Sequence, residues 1–76
     1  MTSPHQIHVK AHNTGENYCC AWHDGQGGAV IVTAKTIRQL HHDFAQSLRF
    51  HIQGCLDDGD NLPSYLVSGD YVIVWS

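Results

Sequence analysis

The chain has 76 residues, a net charge of −3 with histidine neutral, and a hydrophobic content of 42%. A chain of this length forms one domain, and its apolar fraction is sufficient for a folded core and too high for a disordered protein. Its four basic residues form no stripe, so direct binding to nucleic acid is not expected. No apolar run approaches the length of a membrane-spanning helix.

The N-terminal residues and the cysteines bear on the cellular compartment. Residues 1–8, MTSPHQIH, lack the apolar core of a signal peptide. The cysteines are odd in number, and Cys19 and Cys20 are adjacent, which does not indicate a secreted disulfide framework. We therefore expect a cytoplasmic protein.

Three short strands are predicted in the first half of the chain. Residues 7–12 alternate between apolar and polar side chains, which is typical of a half-buried strand. A second strand is predicted from about Asn17 to Trp22, and the glycine-rich loop His23 to Gly28 leads to a third. The third, Ala29 to Thr33, is apolar on both faces, as in strands that are covered on both sides.

A long amphipathic helix is predicted to begin after Thr36. Thr36 and Gln39 have capping-box spacing, in which Thr36 caps a backbone N–H and Gln39 reaches back to the cap. Gly59 is the predicted stop, and fraying is expected there because Asp57 and Asp58 are unfavourable for the helix dipole. The apolar positions recur at three- and four-residue steps: Ile37, Leu40, Phe44, Leu48, Ile52 and Cys55.

One more strand is predicted after the helix. Pro63 prevents any helical continuation, and the run YVIVW at Tyr71 to Trp75 is again apolar on both faces. The order is therefore β-β-β-α-β, an α+β fold with an antiparallel-rich sheet and one helix on one face.

A single helix covers only one face of such a sheet. The other face would expose apolar side chains, and a large exposed apolar patch usually marks an interaction surface. We therefore predict self-association as a homodimer or tetramer, with Ile31, Val72 and Val74 on the contact face. The alternative is that loops protect both faces of these short strands.

An ordered set of short motifs covers most of the chain, from about residue 7 to residue 75. The longest is FHIQG at residues 50–54, followed by DDGD at residues 57–60 and by Leu62-Pro63. The others are the strand-to-helix junction at residues 32–36, Tyr18 with Ala21, and Gly69-Asp70-Tyr71. In this order the motifs resemble those of the HicB-type antitoxins.

The resemblance implies a partial ribonuclease-H-like or ferredoxin-like fold and a non-catalytic, HicB-like protein-binding module. Its partner would be a HicA-like toxin, a small basic ribonuclease that the module neutralises. Asp57, Asp58 and Asp60 would form an acidic toxin-contact surface, because complementary charge speeds encounter. No DNA-binding segment is recognisable before Ser76, so operator binding is not expected. The alternative is an orphan, self-associating structural domain of the same fold.

Seven histidines and three cysteines raise a metal-binding hypothesis. Cys19, Cys20 and His23 with His41 and His42 offer the thiolate and imidazole ligands that zinc prefers. Neighbouring residues on a strand point to opposite faces, however, so the two cysteines cannot easily share a site. We predict no metal site and no cofactor, and a Cys/His metal-binding protein remains the less favoured alternative.

The acidic residues do not have the pattern of a catalytic site. Asp57, Asp58 and Asp60 occupy one turn, whereas a two-metal site needs carboxylates that converge from separate strands. Asp24 and Asp43 add no recognisable motif, and no phosphate-binding loop or Ser-His-Asp set is present. We therefore predict that the chain is not an enzyme.

Overall fold

The computed structural model describes residues 3–25 and 28–76, and it confirms an α+β fold. The strands are β1 (His5–Val9), β2 (Ala11–Asn13), β3 (Tyr18–His23), β4 (Ala29–Ala34) and β5 (Tyr71–Trp75). The helices are α1 (Ile37–Asp57) and α2 (Ser64–Ser68). Neither helix is both long enough and apolar enough to cross a membrane within these described ranges.

The strands form two small sheets that meet at Lys10. β3 pairs antiparallel with both β2 and β4, and β5 pairs parallel with β1. The backbone N–H of Ser76 donates to the Val9 carbonyl at 3.0 Å, and the Ala11 N–H donates to the Ser76 carbonyl at 3.1 Å. The first strand, predicted as one run, is therefore divided, because its two halves pair with different neighbours.

Helix α1 begins as predicted, with Thr36 as its N-cap. The Thr36 hydroxyl oxygen accepts a hydrogen bond from the Gln39 backbone N–H at 3.1 Å. The Gln39 side chain does not reach back to Thr36 as a full capping box requires. It donates instead to Asp43 Oδ1 at 2.7 Å, because a residue four positions along lies on the same face.

The C-terminal end of α1 is closed by hydrogen bonds where we expected fraying. Gly59 adopts a left-handed conformation with φ 76°. Its backbone N–H donates to the Leu56 carbonyl, and that of Asp60 donates to the Cys55 carbonyl at 2.9 Å. This is the Schellman arrangement, which satisfies the last carbonyls and offsets the unfavourable aspartates.

The short helix α2 was not predicted. Pro63 ends any extension of α1 but serves as the N-cap of α2, where its missing N–H has no helical role. Leu66 is buried, which anchors α2 against the core, and Gly69 ends it with φ 78°. A five-residue helix with one buried leucine is too short to show a repeating apolar pattern in the sequence, so α2 could not be predicted from periodicity.

The core lies between α1 and one face of the sheets. The predicted helix stripe is confirmed at its centre, although Ile37 is 39% exposed at the first turn. Trp75 from β5 packs edge-on against Phe44, with ring centroids 5.4 Å apart. The buried side chains are Ile7, Val9, Cys20, Val30, Val32, Ala34, Leu40, Phe44, Leu48, Ile52 and Leu66.

The opposite face of the strands is open. Along β4, Val30, Val32 and Ala34 are buried, whereas Ala29, Ile31 and Thr33 are exposed. The strand is therefore covered on one side only, although its sequence is apolar on both. Within residues 3–25 and 28–76, no helix lies over this second face.

Candidate functional site

Three chemically distinct side chains meet beside the second half of α1. His51 and Cys55 are four residues apart, so they lie on the same face of the helix. Asp24 approaches them from the loop after β3. His51 Nε2 lies 2.8 Å from Asp24 Oδ2 and 3.7 Å from Cys55 Sγ. The three ligand-type atoms all lie within 4.8 Å of one another, and we call these residues the Asp-His-Cys cluster.

The loop between β3 and β4 holds Asp24 in place. The Asp24 backbone N–H donates to the Gly28 carbonyl at 3.1 Å, and the Gly28 N–H donates to Asp24 Oδ1 at 3.0 Å. The Asp24 side chain is only 2% exposed. Residues 26 and 27 of the predicted loop lie outside the described residues. Both described ends of the loop are thus tied together through one carboxylate.

Gly28 lies directly against the cluster. A Cβ at this position would overlap the Asp24 carboxylate and would lie 2.7 Å from His51 Cε1. The absence of a side chain at Gly28 therefore allows the carboxylate and the imidazole to meet. This close approach, and not a positive φ, accounts for the glycine.

A cavity of about 300 Å³ opens beside the cluster. Asp60, Asn61 and Leu62, which follow the end of α1, complete its wall. Burial, followed by the carboxylates of Asp60 and Asp24, raises the pKa of the Cys55 thiol.

The cluster does not have the geometry of a nucleophile activated by a base. A carboxylate can only accept a hydrogen bond, so His51 Nε2 donates to Asp24. The same nitrogen faces Cys55, and it cannot also take the thiol proton. Nucleophilic cysteines have a lowered pKa, whereas that of Cys55 is raised. These contacts argue against one kind of catalysis only, so the absence of enzymatic activity remains a prediction.

A second cavity, of about 470 Å³, lies between β4 and α1 and shares His51 and Cys55 with the first. We call it the β4–α1 groove. Its apolar walls include Ile31, which is 71% exposed, and Phe50, which is 83% exposed. Asp58 lies at its edge, so the groove combines large apolar side chains with a negative charge.

The three aspartates of the predicted toxin-contact surface lie in different surroundings. Asp58 lines the β4–α1 groove, and Asp60 lines the cavity beside the Asp-His-Cys cluster. Asp57 is exposed and accepts a hydrogen bond from Gln53 Nε2 at 3.0 Å. The turn is therefore acidic as a whole, but only Asp58 borders the exposed apolar side chains.

The three residues of the predicted oligomer face are not adjacent. Ile31 lies on β4, whereas Val72 and Val74 lie on β5, beyond β1, β2 and β3. β1 and the residue after it present polar side chains to the open face, His8 and Lys10 among them, whereas β3 places Ala21 beside Ile31. The open face thus has two separate apolar strips, one on β3 and β4 and one on β5.

The cysteines and histidines of the zinc alternative are not brought together. Cys20 is buried in the core, and Cys19 points to the opposite face of β3. His41 stacks on Trp75 with ring centroids 4.0 Å apart, and His42 is exposed.

Sequence reasoning missed the cluster that the fold does assemble. His51-x-x-x-Cys55 has the i, i+4 spacing of paired ligands on one helix, and this mixed pair was the available signal. The third member, Asp24, lies 27 residues before His51 and has no local signal.

The comparisons with known proteins give no family for this chain. No family model matches it, and no curated protein or solved structure shows significant similarity to it.

Proposed function

We propose that the chain is a HicB-like, antitoxin-type module that binds and neutralises a small basic ribonuclease toxin without catalysing a reaction. The observation that carries the proposal is the β4–α1 groove, in which exposed apolar side chains adjoin an acidic residue. The mixture of strands and one main helix also supports the proposal at the level of fold class, because the resemblance implies an α+β domain. A basic polypeptide with an apolar anchor residue has the chemistry that this groove would accept.

Phe50 and Ile31 would provide most of the binding free energy. Removing a side chain of this size from water contributes roughly 1.5–3 kcal/mol, and aromatic side chains are common at binding hot spots. Both side chains are mainly exposed in the isolated chain. A partner that covers them would therefore gain apolar contact at two adjacent positions.

The edge of β4 provides a second means of contact. In the described part of the chain, β4 pairs with β3 on one side only. Its other side offers backbone N–H and carbonyl groups to an added strand, which is a common way of recognising a polypeptide. The strand carries no charged side chain that would oppose such pairing.

Charge at the acidic turn would mainly affect the rate of encounter. The chain has a net charge of −3, and Asp57, Asp58 and Asp60 follow one another at the end of α1. Complementary surface charge speeds association more than it slows dissociation. A toxin that grips RNA is basic around its active surface, so the acidic turn would steer it toward the groove.

The test is co-purification of the chain with the product of an adjacent small basic reading frame. We expect a stable complex without ribonuclease activity. Charge reversal at all three positions, Asp57→Lys, Asp58→Lys and Asp60→Lys, should slow association at least tenfold at low salt, because steering is lost. The matched control is Asp70→Lys, an exposed aspartate before β5. Equal association rates for the triple variant and the control would contradict the proposed surface.

A second candidate function is self-association as an orphan structural domain. The uncharged edge strand β4 favours it, because two identical strands can pair antiparallel about a two-fold axis. A toxin and a second copy would compete for this edge. The two functions are therefore separable by measuring the oligomeric state with and without the toxin.

A further inference from the structure

We propose that Asp24, His51 and Cys55 form a binding site for one Zn²⁺ ion. The inference does not rest on the proposed antitoxin function, because it concerns metal ligands and not partner contacts, although His51 and Cys55 line both the cavity beside the cluster and the β4–α1 groove. It rests on the distances within the Asp-His-Cys cluster, the burial of its carboxylate and the cavity beside it.

The distances within the cluster are close to those between zinc ligands, and the Cys55–His51 distance matches. Zinc–sulfur and zinc–nitrogen bonds of about 2.3 and 2.05 Å at a tetrahedral angle place the two ligand atoms about 3.6 Å apart. Cys55 Sγ and His51 Nε2 are 3.7 Å apart. Asp24 Oδ2 and His51 Nε2 are 2.8 Å apart, and their separation would lengthen by about half an ångström around zinc. On binding the ion, His51 would carry its ring proton on Nδ1, which leaves the Nε2 lone pair for zinc, and Cys55 would release its thiol proton to solvent. The helix and the loop already hold all three ligand-type atoms within 4.8 Å of one another.

The ligand chemistry selects zinc over magnesium or calcium. A thiolate and an imidazole suit zinc, whereas the hard alkaline-earth ions take oxygen ligands. Asp24 adds a carboxylate whose side chain is 2% exposed. Oδ1 accepts the Gly28 N–H and Oδ2 faces His51 Nε2, so the ion would bind through Oδ2 and add a favourable charge interaction.

The neighbouring cavity provides room for the fourth coordination position. Asp60 lines this cavity of about 300 Å³ together with the three cluster residues. The Asp60 carboxylate or a water molecule would complete four-coordination. The ion would then join the β3–β4 loop, the last turns of α1 and the turn that follows it.

Such a link would have a structural role. A domain of this size buries a modest fraction of its unfolded surface, and a metal often contributes the missing stability. Zinc would attach Asp24, on the loop, to His51 and Cys55, on the helix, next to the β4–α1 groove. It would therefore stabilise the groove wall that His51 and Cys55 form.

The experiment uses the full chain after removal of metal by a chelator. Co²⁺ takes the same ligands as zinc, and a bound thiolate gives a sulfur-to-cobalt absorption band in the near ultraviolet. We expect one Co²⁺ per chain, this band, its loss on adding Zn²⁺, and a higher Tm with Zn²⁺. Cys55→Ser should abolish the band and weaken zinc binding at least tenfold.

Matched controls separate the cluster from the other cysteines and histidines. Cys19→Ser and His42→Ala lie outside the cluster and should keep the band and the zinc affinity. His51→Gln provides a second test of the cluster if Cys55→Ser fails to fold, as judged by circular dichroism. Unchanged metal affinity in Cys55→Ser or His51→Gln would overturn the proposal, as would a wild-type cobalt spectrum without the sulfur band.

Discussion

Gly28 shows how one residue determines whether the Asp-His-Cys cluster can form. Its backbone lies against Asp24 and His51 so closely that any side chain would overlap both groups. Gly54 lies three residues after His51 on the same helix. A Cβ added at Gly54 would have no described atom within 4 Å apart from the neighbouring backbone of its own helix. The fold therefore requires glycine at position 28, whereas it has room for a side chain at position 54.

Substituting these two glycines by alanine should change stability in opposite directions. We expect Gly28→Ala to lower the free energy of unfolding by about 1–3 kcal/mol, the usual cost of overpacking. Gly54→Ala should raise it by about 0.5–1 kcal/mol, because alanine favours the helix and no clash is present. Urea unfolding of the three proteins measures both changes. A neutral effect of Gly28→Ala would show that the loop can move away from His51.

At the scale of the element, a different set of hydrogen bonds closes each end of α1. Thr36 caps the start through its hydroxyl oxygen, and the Schellman turn at Gly59 closes the other end. The side chain of Gln39 bonds to Asp43 and not to the cap. The N-terminal cap therefore depends on one side chain, whereas a capping box would depend on two.

Alanine substitutions at Thr36 and Gln39 should therefore lower the free energy of unfolding by different amounts. Thr36→Ala should lower the free energy of unfolding by about 1 kcal/mol, because a backbone donor loses its partner. Gln39→Ala removes an exposed i, i+4 contact and should cost less than about 0.5 kcal/mol. Thermal unfolding followed by circular dichroism measures both. Equal losses would mean that Gln39 reaches the cap in solution, as the sequence pattern predicts.

At the scale of the whole molecule, exposure distinguishes side chains that look alike in the sequence. Phe44 and Phe50 lie on the same helix, yet Phe44 is fully buried and Phe50 is 83% exposed. Ile31 is 71% exposed on a strand whose neighbours Val30 and Val32 belong to the core. The two most exposed large apolar side chains of the described residues, Ile31 and Phe50, both line the β4–α1 groove.

This distribution predicts which substitution alters self-association. We expect the chain alone to form a homodimer through β4, and Ile31→Lys to reduce its mass in solution to that of one chain. Charged side chains on an edge strand oppose strand pairing. Val72→Lys is the control on β5, at the opposite end of the sheets, and should keep the dimer. Light scattering coupled to size-exclusion chromatography measures the mass. A dimer that survives Ile31→Lys but not Val72→Lys would place the interface on β5.

Local signals in the sequence accounted for most of the elements. The bounds predicted for the last strand, Tyr71 to Trp75, are those observed. The cap at Thr36 and the stripe through Leu40, Phe44 and Leu48 were also correct. Capping and periodicity depend on residues at most four positions apart, so they can be recognised without knowing what the element packs against.

Other features depend on packing between distant parts of the chain. The division of the first strand at Lys10 follows from its two pairing partners, and α2 follows from the burial of Leu66. The Asp-His-Cys cluster joins Asp24 to a residue 27 positions later. The sequence by itself determined the long helix, its cap and apolar stripe, and the approximate positions of the strands, because these arise from local chemistry. Only the tertiary structure decided which faces stay open and which side chains meet, because both depend on where packing places distant segments.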